Sequence, residues 1–301
     1  MKTRVDSELK PAALLKRYLW PLVHLKRFID RQLYVWNQSR INAQISLRKF
    51  LSLSRRIEDP GLTVGTMNSI NRDLWVCKMI ADIPPKSRLL DAGSGEQKYR
   101  QYCDHLLYYS QDNVVYDGKG DGRGGHVEGW TYGSTDYICD IVEIPAPSES
   151  FDVVLCTEVL EHLPDPIAAV KELARLLGPG GKLLITAPFC SFTHFSPYFY
   201  STGFSRNWYL RHLTALGFVA MELEPNGNYF EFLAQEIRRL PLMSSSYGSE
   251  KAPWYATLAI LVILRFLQGR SLADSGSSEY CCYGWHVKAV KSSVVQQAEM
   301  R

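Results

Sequence analysis

The sequence predicts an α/β protein: a mostly parallel sheet with helices on both faces. Three observations carry this. From Arg88 onward, short apolar runs alternate with amphipathic helical patterns, the rhythm of strand-helix units. The first of those runs ends in a glycine turn. The composition of the 301 residues, 46% hydrophobic and 22% charged, is that of a folded globular chain, which excludes general disorder, collagen and a disulfide miniprotein.

Arg88-Leu-Leu-Asp-Ala-Gly93 reads as the first strand and Leu106-Leu-Tyr-Tyr-Ser-Gln-Asp112 as the second, with a short helix between them. Residues 113–135 hold the run Asp117-Gly-Lys-Gly-Asp-Gly-Arg-Gly-Gly125, which no packed element would use, so they form a loop. Phe151-Asp-Val-Val-Leu-Cys-Thr157 is a buried strand. Residues 166–177 follow as a helix with Ile167, Val170, Leu173 and Leu177 on one face. Gly178-Pro-Gly-Gly181 ends it, and residues 182–187 are the next strand. A helix over 205–216 has Ser205 as cap and Gly217 as stop, and residues 219–223 and 285–290 close the sheet.

Two domains are expected. Residues 1–60 hold 13 Lys and Arg against 5 Asp and Glu, leaving 21 against 26 for the rest, so the basic charge belongs to an N-terminal extension. Within it Leu15, Tyr18, Leu22, Leu25, Ile29, Leu33 and Trp36 recur at three- and four-residue steps beside Lys16, Arg17, Lys26, Arg27 and Arg31. This is a basic amphipathic helix, kinked near Pro21. Through residues 10–40 it can lie on an anionic membrane, cover the site or pair with another subunit. Residues 61–301 are the second domain, with 224–280 as a cap or lid inserted before the last strand. No signal peptide is expected, because Lys16, Arg17 and Pro21 cut the early apolar run. The apolar stretch 256–264 stops at Arg265, so no transmembrane helix is predicted. Seven cysteines show no C-x-x-C pair and no zinc-site spacing; they read as reduced thiols of a cytoplasmic protein, and no metal is expected.

The sharpest chemical signal is Leu89-Leu-Asp-Ala-Gly-Ser-Gly95. Glycines at 93 and 95 let the backbone lie directly against a nucleotide-like ligand. A dinucleotide site wants a third glycine where this chain has Lys98, and a pyrophosphate would be repelled by Asp91. A cationic sulfonium or ammonium would be attracted instead. The chemistry points to S-adenosylmethionine rather than NAD.

Here the chain resembles the class I S-adenosylmethionine-dependent methyltransferases, in particular the type-11 branch that includes ubiquinone and menaquinone biosynthesis enzymes. The likeness covers about residues 88–218 and returns in the last strand. It implies a Rossmann-like, mostly parallel seven-stranded sheet with helices on both faces. It also implies that Asp91, Gly93, Ser94 and Gly95 hold the methionine end of the cofactor and that Asp112 receives the ribose hydroxyls, with Asp117 as a rival. Asp140 and Ile141, in Cys139-Asp-Ile141, would face the adenine. Thr157-Glu-Val-Leu-Glu-His-Leu-Pro-Asp-Pro166 is similar to the fourth-strand motif and adds Thr157 and Glu158 on the cofactor side. Gln97 stands where a further glycine is common.

Methyl transfer is an in-line displacement at a carbon with a good leaving group, so the protein mainly aligns donor and acceptor. A hydroxyl acceptor also needs a base. His194 follows the fifth strand at the carboxyl edge of the sheet and is the first candidate; His162, which the motif marks more as a loop-orienting residue, is the second. The segment from Pro188 to Pro197 and the aromatic residues Tyr198, Phe199, Tyr200 and Phe204 look like methyltransferases of glycan pathways. The expected function is therefore O-methylation of a sugar, glycan or other small or lipid-linked hydroxyl, in the cytoplasm or at the inner face of the membrane. The alternatives are a catalytically inactive cofactor-binding scaffold and an RNA methyltransferase. Nucleic acid is the less favoured partner, because Pro188-Phe-Cys-Ser191 replaces the Asn/Asp-Pro-Pro-aromatic tetrad of base-amine enzymes.

Overall fold

The computed structural model describes residues 61–126, 129–248 and 253–293. The basic helix expected within residues 1–60 lies outside them. From Leu62 onward the chain clusters as one unit. Its seven-stranded sheet runs β3-β2-β1-β4-β5-β7-β6, built from β1 (Arg88–Ala92), β2 (Leu107–Asp112), β3 (Tyr137–Ile138), β4 (Phe151–Thr157), β5 (Leu177–Pro188), β6 (Phe218–Asn226) and β7 (Gly284–Lys291). Neighbours from β3 to β5 pair in parallel. β7 runs antiparallel to both β5 and β6.

Adjacent apolar residues on each central strand point to opposite faces, so the runs read from the sequence are buried on both sides. Leu89, Val153, Leu155 and Leu184 pack with Trp75, Val76, Met79 and Ile80 of α1 (Asn68–Ala81). Leu90, Val154, Cys156, Leu183 and Ile185 face the other way, onto α2 (Pro166–Leu176) and α3 (Arg206–Ala215). Ser205 caps α3 as expected, accepting from the Trp208 amide at 3.3 Å, and Gly217 ends it with φ +83.

Several expectations change. The helix before β2 shrinks to one 3-10 turn, Arg100–Tyr102. Gly178-Pro-Gly-Gly181 is no free turn but part of β5: Leu177 pairs with Phe151, and the ladder resumes at Lys182 opposite Val153 after a bulge. The edge strand β3 was invisible because it contributes only two paired residues.

The inserted segment 224–280 forms two helices, α4 (Tyr229–Tyr247) and α5 (Trp254–Leu272). Ala234, Leu264 and Leu267 pack with Val64 in a small core of their own. None of the insertion's described residues lines the pocket described below. The expectation about length is also corrected. Arg265 does not end the helix, and α5 is a 19-residue helix long and apolar enough to cross a membrane, with mean hydropathy 1.3 and 11% of its apolar window buried.

Candidate functional site

In an open α/β sheet the carboxyl ends of the strands leave a crevice where the strand order reverses, here between β1 and β4. A pocket opens at that point with about 730 Å³ of non-atom space, partly open to solvent. Gly93 and Gly95 supply one wall, each in the left-handed region at φ +71 and +48. A Cβ on Gly93 would stand 2.4 Å from Val159 Cγ2, and one on Gly95 2.9 Å from the Trp130 ring. Glycine is therefore required by the backbone and by the neighbours together. Gln97, at the position where a glycine is common, also has a positive φ of 55. Its amide holds the strain in place, donating to the Ser134 carbonyl at 2.7 Å and accepting from Arg100 at 2.8 Å.

The turn is wired to the end of β2. Gly93 and Ser94 amides donate to the Gln111 carbonyl, and the Gly95 amide donates to Asp112 Oδ2 at 2.9 Å. Asp112 Oδ1 accepts from the Val114 amide, which holds the carboxylate on the pocket wall. Asp140, Ile141 and Glu158 also line the pocket. Glu158 has φ +53; its carboxylate pairs with Arg72 at 2.7 Å and accepts from Thr186 at 3.0 Å. Arg72 carried no signal in the sequence, because it lies on α1, far outside the motifs.

Other expected residues sit off the wall. Asp91 is buried beneath the turn, where Tyr108 donates to it at 2.8 Å. Burial, with the Asp112 charge adding to it, pushes its carboxyl up to about 7 against the Tyr108 hydrogen bond. Ser94 is buried with its hydroxyl unpartnered, and Thr157 belongs to the β4 ladder opposite Thr186. Asp117 is exposed and closes its own turn by accepting from the Lys119 and Gly120 amides, so it is not a rival to Asp112 for the pocket.

Two glycines of the glycine-rich loop have a structural reason. A Cβ at Gly120 would meet the Ser196 carbonyl and one at Gly124 the Thr193 carbonyl, at 1.9 and 2.5 Å. The loop backbone is thus laid against residues 193–196. Gly125 donates to Thr193 O at 3.1 Å, Phe195 donates to Gly125 O at 2.9 Å, and Asp121 donates to Ser196 O at 3.0 Å. The loop also carries Tyr116, Trp130 and Tyr132 onto the pocket wall. Tyr116 stacks on Phe195 with centroids 4.4 Å apart, and Trp130 meets Phe195 edge-on at 5.5 Å. Aromatic residues inside a glycine-rich loop were the available signal for this wall.

Of the aromatic residues expected to face an acceptor, only Tyr198 lines the pocket. Phe199 lies against His194, Tyr200 is exposed, and Phe204 is buried against Trp208. His162 is on the wall and His194 stands behind it, their rings edge-on at 4.7 Å. Each imidazole has Nδ1 on a backbone carbonyl: His162 on Tyr198 at 2.6 Å, His194 on Phe192 at 2.9 Å. A carbonyl only accepts, so both Nδ1 atoms carry the hydrogen, and in the neutral form of either ring Nε2 is the atom with the lone pair. Those Nε2 atoms stand 3.8 and 3.9 Å from Glu161 Oε1, too far for hydrogen bonds. Burial, then the neighbouring His194, lowers the His162 ring to about 4, against the Tyr198 carbonyl bond. Burial, then the Glu158 charge, raises Glu161 well above the usual carboxylate range. Both shifts favour the neutral forms, so Glu161 and His162 are not an ion pair.

A family profile described as a methyltransferase domain matches residues 71–240. Over 53 residues, 17% of this chain, it is 51% identical to the ubiquinone biosynthesis O-methyltransferase of Idiomarina loihiensis, covering 22% of that protein. The Coxiella burnetii protein of the same name is 42% identical over 52 residues, again 17% of this chain and 22% of that one. The matched stretch thus spans about a fifth of these relatives' length. Among solved structures, a SAM-dependent methyltransferase from Archaeoglobus fulgidus aligns with TM-score 0.44 and 14% identity over 75% of this chain and 95% of that one. Phosphoethanolamine N-methyltransferase 2 of Haemonchus contortus, in complex with S-adenosyl-L-methionine, aligns with TM-score 0.42 and 20% identity over 74% and 53%.

Proposed function

The chain belongs to the methyltransferase-domain family, and from that premise we propose that it O-methylates a hydroxyl of a sugar, glycan or other small or lipid-linked acceptor. The cofactor of the family is S-adenosylmethionine, which when bound supplies a methyl group on a positively charged sulfur. The residues present fit it. The turn at 93–95 presents no side chain at either glycine, Asp112 is held on the wall with its carboxylate fixed by two amides, and Ser94 Oγ is a buried polar atom with no hydrogen-bond partner among the described residues. In this reading Gly93, Ser94 and Gly95, with Asp91 beneath them, take the methionine end. Asp112 takes the ribose, and Asp140 and Ile141 take the adenine, with Glu158 bounding the floor and Thr157 supporting it from β4.

The observation that carries the O-methyl reading is the pair of Nε2 lone pairs on His162 and His194 beyond the glycine turn. A hydroxyl is a poor nucleophile until it loses its proton, and in this reading His162 on the pocket wall, with His194 behind it, assists that loss. The names of the similar O-methyltransferases support transfer to oxygen. The wall of Tyr116, Trp130, Phe195 and Tyr198 suits the flat face of a sugar or of an apolar ring. A lipid-linked acceptor agrees with contact at an anionic membrane from the cytoplasmic side. Support for that comes from α5, where Trp254, Tyr255, Val262 and Phe266 are each more than 60% exposed. Between residues 237 and 273 there are five Lys and Arg and only one acidic residue, Glu250.

The test is incubation with methyl-labelled S-adenosylmethionine and fractionated cell extract. Label is expected in a glycan, lipid or small-molecule fraction as an alkali-stable ether, and His194→Ala is expected to lose transfer while still binding cofactor. Label in RNA would replace this reading with the nucleic-acid one, and tight cofactor binding with no transfer to any fraction would favour a scaffold.

A further inference from the structure

We propose that Glu161, His162 and His194 form a binding site for a divalent first-row transition cation at the acceptor end of the pocket. Glu161 is 1% exposed, and neither carboxylate oxygen has a hydrogen-bond partner among the described residues. Its position is imposed rather than incidental, because its backbone carbonyl accepts from the Tyr200 and Ser201 amides at 2.9 and 3.1 Å. A buried carboxylate without partners is costly unless something compensates it. What faces it is two imidazole Nε2 atoms, and one donor atom from each of the three residues lies within 4.8 Å of the others.

Three features favour a cation over a hydrogen-bonded triad. The Nε2 to Oε1 distances of 3.8 and 3.9 Å are too long for hydrogen bonds. Ligands bound at about 2.0–2.2 Å in a tetrahedral site lie roughly 3.3–3.6 Å apart, so the two histidine–carboxylate pairs close with a few tenths of an ångström, and the widest pair of a set lying within 4.8 Å closes with about an ångström of side-chain rotation. Both imidazoles are already arranged as metal ligands are, with Nδ1–H anchored on a carbonyl and the Nε2 lone pair turned inward. Two imidazoles and one carboxylate leave coordination positions open, the donor set of zinc and non-haem iron sites. His162 lies on the pocket wall, so an open position is within reach of an acceptor oxygen. The docked glycine loop has a part in this, since the Gly125 pairing fixes the backbone on either side of His194.

This deepens the O-methyl reading, resting on it only for the role of the cation: with both Nε2 lone pairs on the metal, the cation would hold the acceptor oxygen and lower its pKa, and the proton would pass to solvent water. Binding itself is tested without turnover. The full chain, stripped with chelator, is titrated with Zn2+ by calorimetry, with metal content measured after gel filtration, and with Co2+ followed by its visible absorption. One equivalent per chain and a Co2+ spectrum of low coordination number are expected. Glu161→Gln keeps the volume of a buried side chain and His194→Ala changes a partly exposed one; each is expected to bind at least ~100-fold more weakly, since losing even an outer-shell partner costs 10–100-fold. Thermal melts of both variants check that they are folded. No saturable Zn2+ or Co2+ binding, or unchanged affinity in two folded variants, overturns the site whether or not the protein methylates. Metal binding with no methyl transfer retains the site and removes the function instead.

Discussion

Gly124→Ala isolates the contact between the glycine-rich loop and the segment carrying His194. Gly124 has φ +75, and its added Cβ would lie 2.5 Å from the Thr193 carbonyl oxygen, a backbone atom with no side-chain freedom to yield. Left-handed backbone costs a residue with a Cβ about 1–2 kcal/mol. Relieving the clash separates the loop from Thr193, which removes the Gly125 to Thr193 and Phe195 to Gly125 hydrogen bonds, each worth about 0.5–1.5 kcal/mol. The docked arrangement therefore loses about 2–5 kcal/mol. At ~1.4 kcal/mol per tenfold, a mid-range 3 kcal/mol shifts the docked population by roughly 100-fold. Gly122→Ala is the control: its φ is +74, yet its Cβ meets nothing within 4 Å, so it carries the backbone cost alone. Hydrogen exchange at the Phe195 amide, together with turnover, reads the difference. Gly124→Ala is expected to lose protection at Phe195 and to lose turnover with little change in Tm, while Gly122→Ala changes both far less. Equal exchange in the two variants would refute the docking argument.

Two further outcomes follow from named groups. Asp91 titrates near 7 in the fold against an ordinary 3.8, so the folded state holds its proton more tightly. Its favourable contribution is complete below about pH 4 and is lost as pH rises toward 7, by at most ~4 kcal/mol. Asp91→Asn should consequently raise Tm relative to wild type more at pH 8 than at pH 4; a difference independent of pH would count against the buried carboxyl as the cause. For α5, flotation with phosphatidylglycerol vesicles should recover the full chain, and Val262→Asp with Phe266→Asp should reduce recovery several-fold in low salt. Equal recovery of both proteins would remove this face from the membrane reading.

The order of the strands' sequence signals, the glycine turn at 93–95, the acid at 112 and the cap at Ser205 were legible because each is local. Apolar runs, a turn that excludes Cβ atoms and a hydroxyl three residues ahead of an amide are properties of neighbouring residues. The two-residue strand β3 and the bulged start of β5 were not, since each exists only through its pairing partner. The course of α5 past Arg265 was missed for a related reason, because one charge on a helix with little burial need not interrupt it.

What the chain determined by itself was a sheet edge with a glycine turn and acids suited to a cationic nucleotide-like ligand. Tertiary structure decided what stands opposite that turn. It lowered Asp91 beneath the wall, brought Arg72 to Glu158 from α1, and folded Tyr116 and Trp130 over the pocket through a loop whose composition had resembled slack chain. It also gathered Glu161 and His162 with His194, 32 residues further on, around one buried carboxylate. Such meetings depend on the sum of loop lengths, sheet order and burial, and no short window of sequence contains them.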